Sequence, residues 1–300
     1  MKTLSNLVAF TVAIYGLVST ELPASASAAL QTAPTDRTNR APASTWVGQR
    51  IVMLRGYGAV HNADSDRART TVGINIVTSV VRVEANRVWV RSTGGDDSGW
   101  LDGRDVILLS DAIPYFSTLI QRNPNDWDAY LRRAEANHAL NQREAATLDY
   151  TRAIALHPTE AFLYLRRGRH YNARRLCDAA LRDFETAIPL VSTSVPQDYN
   201  LTAELYSLQS GVYAGCPDSA YRDAQRAIAT AQRAVDLDPS RPTLLSILAA
   251  AHASAGDFAK AVAAQKQALA LARFPSGYRQ DGQRQLEQYE RALAAKQPQR

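Results

Sequence analysis

A 34-residue period constrains this chain more than any other feature. Ala112, Ala146 and Ala180 are 34 residues apart, as are Phe116, Tyr150 and Phe184. Pro124 and Pro158 keep the interval, and so do Ala153 with Ala187 and the small pair Ala134 and Gly168. After an insertion it returns, from Ala227 to Ala261 and from Ala234 to Ala268. A unit this short cannot bury its apolar face alone. The period therefore predicts helix pairs stacked in a row, each covering the next.

Two well-formed repeats are expected over residues 125–158 and 159–192. The first carries Tyr130, Ala134, Ala146, Tyr150, Ala153 and Pro158; the second carries Tyr164, Gly168, Ala180, Phe184 and Ala187. Small residues let two antiparallel helices approach closely, aromatics fill the gap to the next pair, and proline ends the second helix. Repeat two carries Pro189 instead of a final proline, so its exit is expected to be irregular. From Ala187 to Ala234 is 47 residues, one period plus 13. Helices are expected there over 201–213 and 221–237. The stretch 240–273 restores the repeat, with Gly256-Asp257-Phe258 as its interhelix turn. A last helix over 278–296, dominated by Gln, Arg and Glu, suits the polar end of a solenoid. This pattern resembles the tetratricopeptide repeat over residues 111–296. The resemblance implies an all-α solenoid (repeats 111–275, capping helix and tail 276–300) that binds a protein segment in its groove.

The segment before the repeats changes character twice. Lys2, the apolar run 4–18, and the small-x-small triplets Ala24-Ser25-Ala26 and Ala26-Ser27-Ala28 read as a signal peptide over 1–28, cleaved near Ser27 or Ala29. The run is too short and interrupted for a stable membrane span. A retained anchor is the alternative. Residues 29–44, rich in Thr, Ala and Pro, read as a disordered linker. The chain is accordingly expected to be exported, periplasmic or extracellular, from a bacterium.

Residues 45–110 switch to β patterning. Residues 50–54, 80–84, 87–91, 100–101 and 106–109 are expected as strands, with Ala85-Asn86 the turn of a hairpin. Short strands this close together suit a small barrel. The hairpin, Gly99-Trp100-Leu101 and the run Asp105 to Leu109 resemble a bacterial SH3-like domain. That resemblance implies an all-β SH3-like barrel ahead of the solenoid, and some relatives bind cell-wall peptides. The acidic, tyrosine-rich stretches of eukaryotic polyproline binders are missing. Trp89 and Trp100 are either an exposed aromatic platform or barrel core, with core expected for at least one. Helix 112–122, capped by Ser110 or Asp111, is in phase with the repeats and should dock the barrel rigidly on the solenoid.

No HExxH, GxSxG or P-loop occurs, and His61, His138, His157, His170 and His252 lack metal-ligand spacing. No catalytic residue, cofactor or metal is assigned, and a non-enzymatic protein is expected. Glu135, Asp149, Asp183 and Glu185 fall at repeat positions where solvation or pairing within a helix is usual. Net charge is +5, almost all from arginine. Arg132-Arg133 recurs one period later as Arg166-Arg167. One arginine of each pair is expected to face the groove with Arg169, His138, Asn137 and Asn172 and meet a partner's carboxylate. The alternative pairs each arginine with a neighbouring acid inside the fold. Cys177 and Cys216 lie in adjoining units, either as a disulfide or as two buried thiols.

Three functions are carried forward. The first is an exported scaffold binding a partner protein or peptide, acidic in character. The second is a cell-envelope module whose SH3-like domain contacts wall peptide or glycan. The third is a hydrolase whose site has no recognisable motif. Nucleic acid is not expected as a partner, because no basic strip interleaved with aromatics stands out.

Overall fold

The computed structural model describes residues 45–54, 60–61, 68–69, 77–91, 98–192, 198–271 and 278–296. The expected signal peptide and linker lie outside these residues. Two compact units divide the chain, one over Ser19–Leu163 and one gathering Tyr164–Arg300.

The first unit begins with seven strands: β1 (Arg50–Met53), β2 (Val60–His61), β3 (Ala68–Arg69), β4 (Val77–Glu84), β5 (Arg87–Arg91), β6 (Ser98–Asp102) and β7 (Val106–Leu108). Every pairing is antiparallel, in the order β3-β2-β6-β5-β4-β1-β7. The β4–β5 hairpin turns at Ala85, whose φ of 49° lies in the left-handed region. A register shift between Val80 and Arg82 inserts Val81 and resets which residues face the core. One face buries Trp46, Ile51, Met53, Val80, Val88, Val90, Leu101, Val106 and Leu108. On β1 and β7 the other face is covered too, since the register partners Val52 and Ile107 are also buried.

That second face is covered by helices. The next three are α1 (Leu109–Arg122), α2 (Trp127–Ala139) and α3 (Arg143–Leu156). Helix α1 packs on β1 and β7, and α2 on β1 and β4. The closing strand is one residue shorter than expected because Leu109 already opens α1. The cap expected from Ser110 or Asp111 is not formed. Leu108 holds that position without a side-chain bond, and Pro114 falls in the second turn. Asp126 does cap α2, accepting from the Ala129 amide at 3.0 Å. The periodic residues Ala112, Phe116, Ala134, Ala146, Tyr150 and Ala153 are all buried, as interhelix packing requires. The Tyr150 hydroxyl donates to Glu135 at 2.9 Å, so the phenol is satisfied inside the contact.

Helix α4 (Ala161–Ala173) spans the division between the units. It is followed by α5 (Cys177–Ser192), α6 (Tyr199–Gly215), α7 (Ala224–Leu237), α8 (Pro242–Ser254), α9 (Phe258–Ala270) and α10 (Arg279–Lys296). Successive helices from α5 to α10 pack on each other, and α6 also packs on α8. Helix α5 contains Pro189 and runs to Ser192, the expected end of the second repeat. Both inserted-region helices are shifted relative to expectation: α6 starts at Tyr199, and α7 starts at Ala224 after a short 3-10 turn. Gly256 has a φ of 76°, which explains the glycine in its turn. The corresponding turns of the earlier pairs put Asn141 (φ 61°) and Arg175 (φ 59°) in the same left-handed region, one period apart. Tyr289 of α10 is buried with Ala249, Ala253, Phe258, Ala261 and Ala264, and Leu293 packs beside it. The Lys296 ammonium donates to the Gly256 carbonyl at 2.7 Å and lies 5.0 Å from the Phe258 ring centre.

Candidate partner-binding face

In the first unit the expected arginines turn inward. Arg132 is only 2% exposed. Its Nε and Nη2 donate to Asp128 at 2.7 and 3.0 Å, and Nη1 donates to the Met53 carbonyl of β1 at 2.7 Å. It ties α2 to the sheet and does not open into a groove. On the sheet's side, Arg50 Nη1 donates to the Ala139 carbonyl at 3.0 Å. Two guanidiniums bonded to backbone carbonyls thus link the sheet to α2.

Arg133 makes a bidentate pair with Asp149, at 2.9 and 2.7 Å, and donates to Ser117 Oγ at 3.0 Å. Asn137 donates to the same carboxylate at 3.0 Å. The hydrogen bond to Asp149 raises the arginine's already high pKa, against the opposing effect of burial. His138 is exposed.

The second unit repeats the pairing one period on. Arg167 bonds Asp183 at 2.9 and 2.8 Å, again at a sequence separation of 16. Burial pulls the Arg167 pKa down, but the Asp183 carboxylate more than restores it. Asp149 and Asp183 are therefore not solvated, nor paired within their own helices. Both are buried and bind an arginine on the preceding helix. The signal was in the sequence: an Arg–Asp spacing of 16 that itself recurs after 34.

Arg169 belongs to a different cluster. Its Nη1 donates to Glu204 Oε1 at 2.9 Å. Burial pushes the Glu204 carboxyl's pKa up, and Arg169, Arg166 and Arg241 pull it back toward ionisation. Arg241 bonds Asp238 at 3.0 Å and Asn200 at 2.5 Å. The buried Glu204 Oε2, Arg241 Nη1, Thr243 Oγ1 and Ser246 Oγ find no hydrogen-bond partner among the described residues. Arg166 is buried beside this cluster, and Asn172, a turn further along α4, is half-buried. The sequence missed Glu204 and Arg241 because the insertion breaks the period in front of α6.

Cys177 and Cys216 form a disulfide, with their Cα atoms 6.3 Å apart. It joins the start of α5 to the residue that ends α6, which fixes the irregular unit against the regular one. Among the described residues no group of His, Cys, Asp and Glu is placed to hold a metal ion, and no helix is long and apolar enough to cross a membrane.

No family model matches the chain, and no curated protein matches it. Solved structures do. The Cut9 chain of the APC/C Cut9–Hcn1 hetero-tetramer matches 62% of this chain at 16% identity and a TM-score of 0.50, over 34% of its own length. A thermophilic TPR protein of Thermus thermophilus matches 62% at 21% identity and a TM-score of 0.45, over 91% of its length. MamA of Desulfovibrio magneticus matches 56% at 20% identity and a TM-score of 0.47, over 88% of its length. Of these, the Cut9 match carries the fold comparison, and it shows the stacked-helix arrangement seen here. The strand segment is a small antiparallel sheet.

Proposed function

We propose that this protein is an exported, non-enzymatic scaffold that holds a segment of a partner protein against the first helices of its repeats. The observation that carries this is the direct packing of α6 on α8, which sets two first helices of the second unit side by side. Beneath it the Arg169–Glu204 pair, Arg241, Thr243 and Ser246 form a buried polar cluster where a closed core would be apolar. Cut9, the neighbour that carries the fold argument, is assembled with Hcn1. The disulfide supports export, since such bonds persist in oxidising compartments. The apolar start and small-x-small triplets support it independently.

Arginines expected to meet an acidic partner are largely committed inside the fold. Contact is accordingly assigned to the edge of the Arg169 cluster, at Asn172. The partner is identified by capturing the exported protein and then titrated. Asn172→Asp should weaken binding several-fold, with Arg284→Ala as the distant control. Equal affinity in wild type and Asn172→Asp, with unchanged folding, overturns this assignment.

A second reading, a cell-envelope module, is supported by the sheet. The β4–β5 hairpin, Gly99-Trp100-Leu101 on β6 and the short strand β7 are the segments on which the SH3-like resemblance rests. Pulldown on wall glycan and wall peptide tests it.

A further inference from the structure

The outer face of β4, β5 and β6 carries two tryptophans and two arginines in one cluster. Val88, Val90 and Leu101 point into the core, so the alternate residues Arg87, Trp89 and Trp100 point away from it. Trp89 and Trp100 are register partners, with ring centres 5.2 Å apart at 74°. Trp100 is 4% exposed and Trp89 is half-buried, so the first supports and the second is presented. The Arg82 and Arg87 guanidiniums lie 5.7 and 5.2 Å from the Trp100 ring centre. Arg87 faces Glu84 and Asp102 across the ladder. Glu84, however, is bonded to Arg82, and Asp102 to Arg104. Among the described residues Arg87 makes no ion pair, so its charge stands uncompensated beside an aromatic ring.

We propose that this face binds an acidic polysaccharide, with one sugar ring laid on Trp89 and a carboxylate of the chain bonded to Arg87. The inference rests on the cell-envelope reading and names its ligand. Three features select this occupant. Strand β5 is hydrogen-bonded on both sides, so an extended peptide cannot add to it as a strand, and a ligand must lie flat on the side chains. An aromatic face offers apolar contact to the flat side of a ring. A guanidinium next to it bonds a carboxylate bidentately. Single-stranded nucleic acid uses aromatic platforms too, but it needs a groove that tracks many phosphates, and one uncompensated arginine does not make one.

The test titrates the full chain with oligogalacturonate, an uncharged chitin-type oligosaccharide, an oligo-dT and a poly-glutamate peptide. Saturable oligogalacturonate binding that weakens with salt is expected. Trp89→Ala should weaken it about tenfold. Arg87→Gln, at an exposed site with no ion pair to lose, should weaken it by about threefold to tenfold and flatten the salt dependence. Absence of oligogalacturonate binding, unchanged affinity in Arg87→Gln, or tighter binding of oligo-dT or poly-glutamate overturns the proposal. Equal chitin-type binding by wild type and Arg87→Gln, without oligogalacturonate binding, also overturns it while leaving the envelope-module reading standing.

Discussion

Gly168→Ala separates two lines of reasoning, because they predict opposite signs. Gly168 lies in the middle of α4. By helix propensity alone, alanine there should stabilise by about 0.8–1.0 kcal/mol. The packing says otherwise. A Cβ on residue 168 would stand 2.5 and 2.8 Å from two ring carbons of Phe184 and 3.2 Å from the Asp183 Cβ. Carbon contacts are favourable at about 3.5–4.0 Å, so the overlap is close to 1 Å. Phe184 is fully buried and cannot swing aside, and Asp183 is held by Arg167. Overpacking of this kind costs about 1–3 kcal/mol, and a rigid buried ring places it in the upper part of that range. Net destabilisation of about 1–2 kcal/mol is therefore expected, read as a lower urea midpoint at unchanged slope. The penalty should vanish when Gly168→Ala is made on a Phe184→Leu background, since the two changes share one contact. A Gly168→Ala variant as stable as wild type, or more so, would refute the packing argument and leave propensity in charge.

Arg132→Ala should cost about 3 kcal/mol, because it strips a buried guanidinium from Asp128 and leaves the Met53 carbonyl without that donor. Arg284→Ala, on an exposed side chain, should stay within about 0.5 kcal/mol, and equal midpoints for the two would show that Arg132 is not structural. Cys177→Ser with Cys216→Ser removes a cross-link spanning 39 residues and should cost about 4 kcal/mol on the chain-entropy scale. Two free thiols in the exported protein by non-reducing mass analysis would dispose of that expectation. Burial holds the His252 imidazole below its ordinary pKa, with Lys260 adding to the effect and Asp257 opposing it. Between that lowered value and about 6.5 the unfolded chain binds more protons, so stability should fall as pH drops below about 6.5. His252→Gln should flatten that part of the profile, and an unchanged slope would count against the assignment.

Several features of the fold were legible because one physical constraint governed them at every repeat. A helix pair stacked on an identical pair must put a small residue where backbones approach and an aromatic where a gap opens. Ala112, Ala146, Ala180, Phe116, Tyr150 and Phe184 therefore announce their burial by spacing alone. The β4–β5 hairpin was equally local, set by two β-branched runs around Ala85-Asn86. The ends of elements were less legible. Ser110 and Asp111 are good capping residues, yet α1 starts before them, at the buried Leu109. Pro189 marked an irregular exit, and only the structure shows that it lies inside a helix running on to Ser192.

The sequence by itself determined which residues recur, and hence which must be buried for pairs to stack. Only the tertiary structure decided what the recurring arginines do. Their spacing was visible, but a guanidinium facing a groove and one facing an aspartate on the next helix have the same sequence signature. Distance and burial separate them: Arg133 and Arg167 meet carboxylates at under 3 Å, and Arg132 meets a strand carbonyl 79 residues away. The same holds for Arg87, whose neighbours in the ladder are acids already bonded elsewhere. Which acid a long, flexible cation reaches depends on three-dimensional competition among partners, and that competition is not encoded at any fixed spacing along the chain.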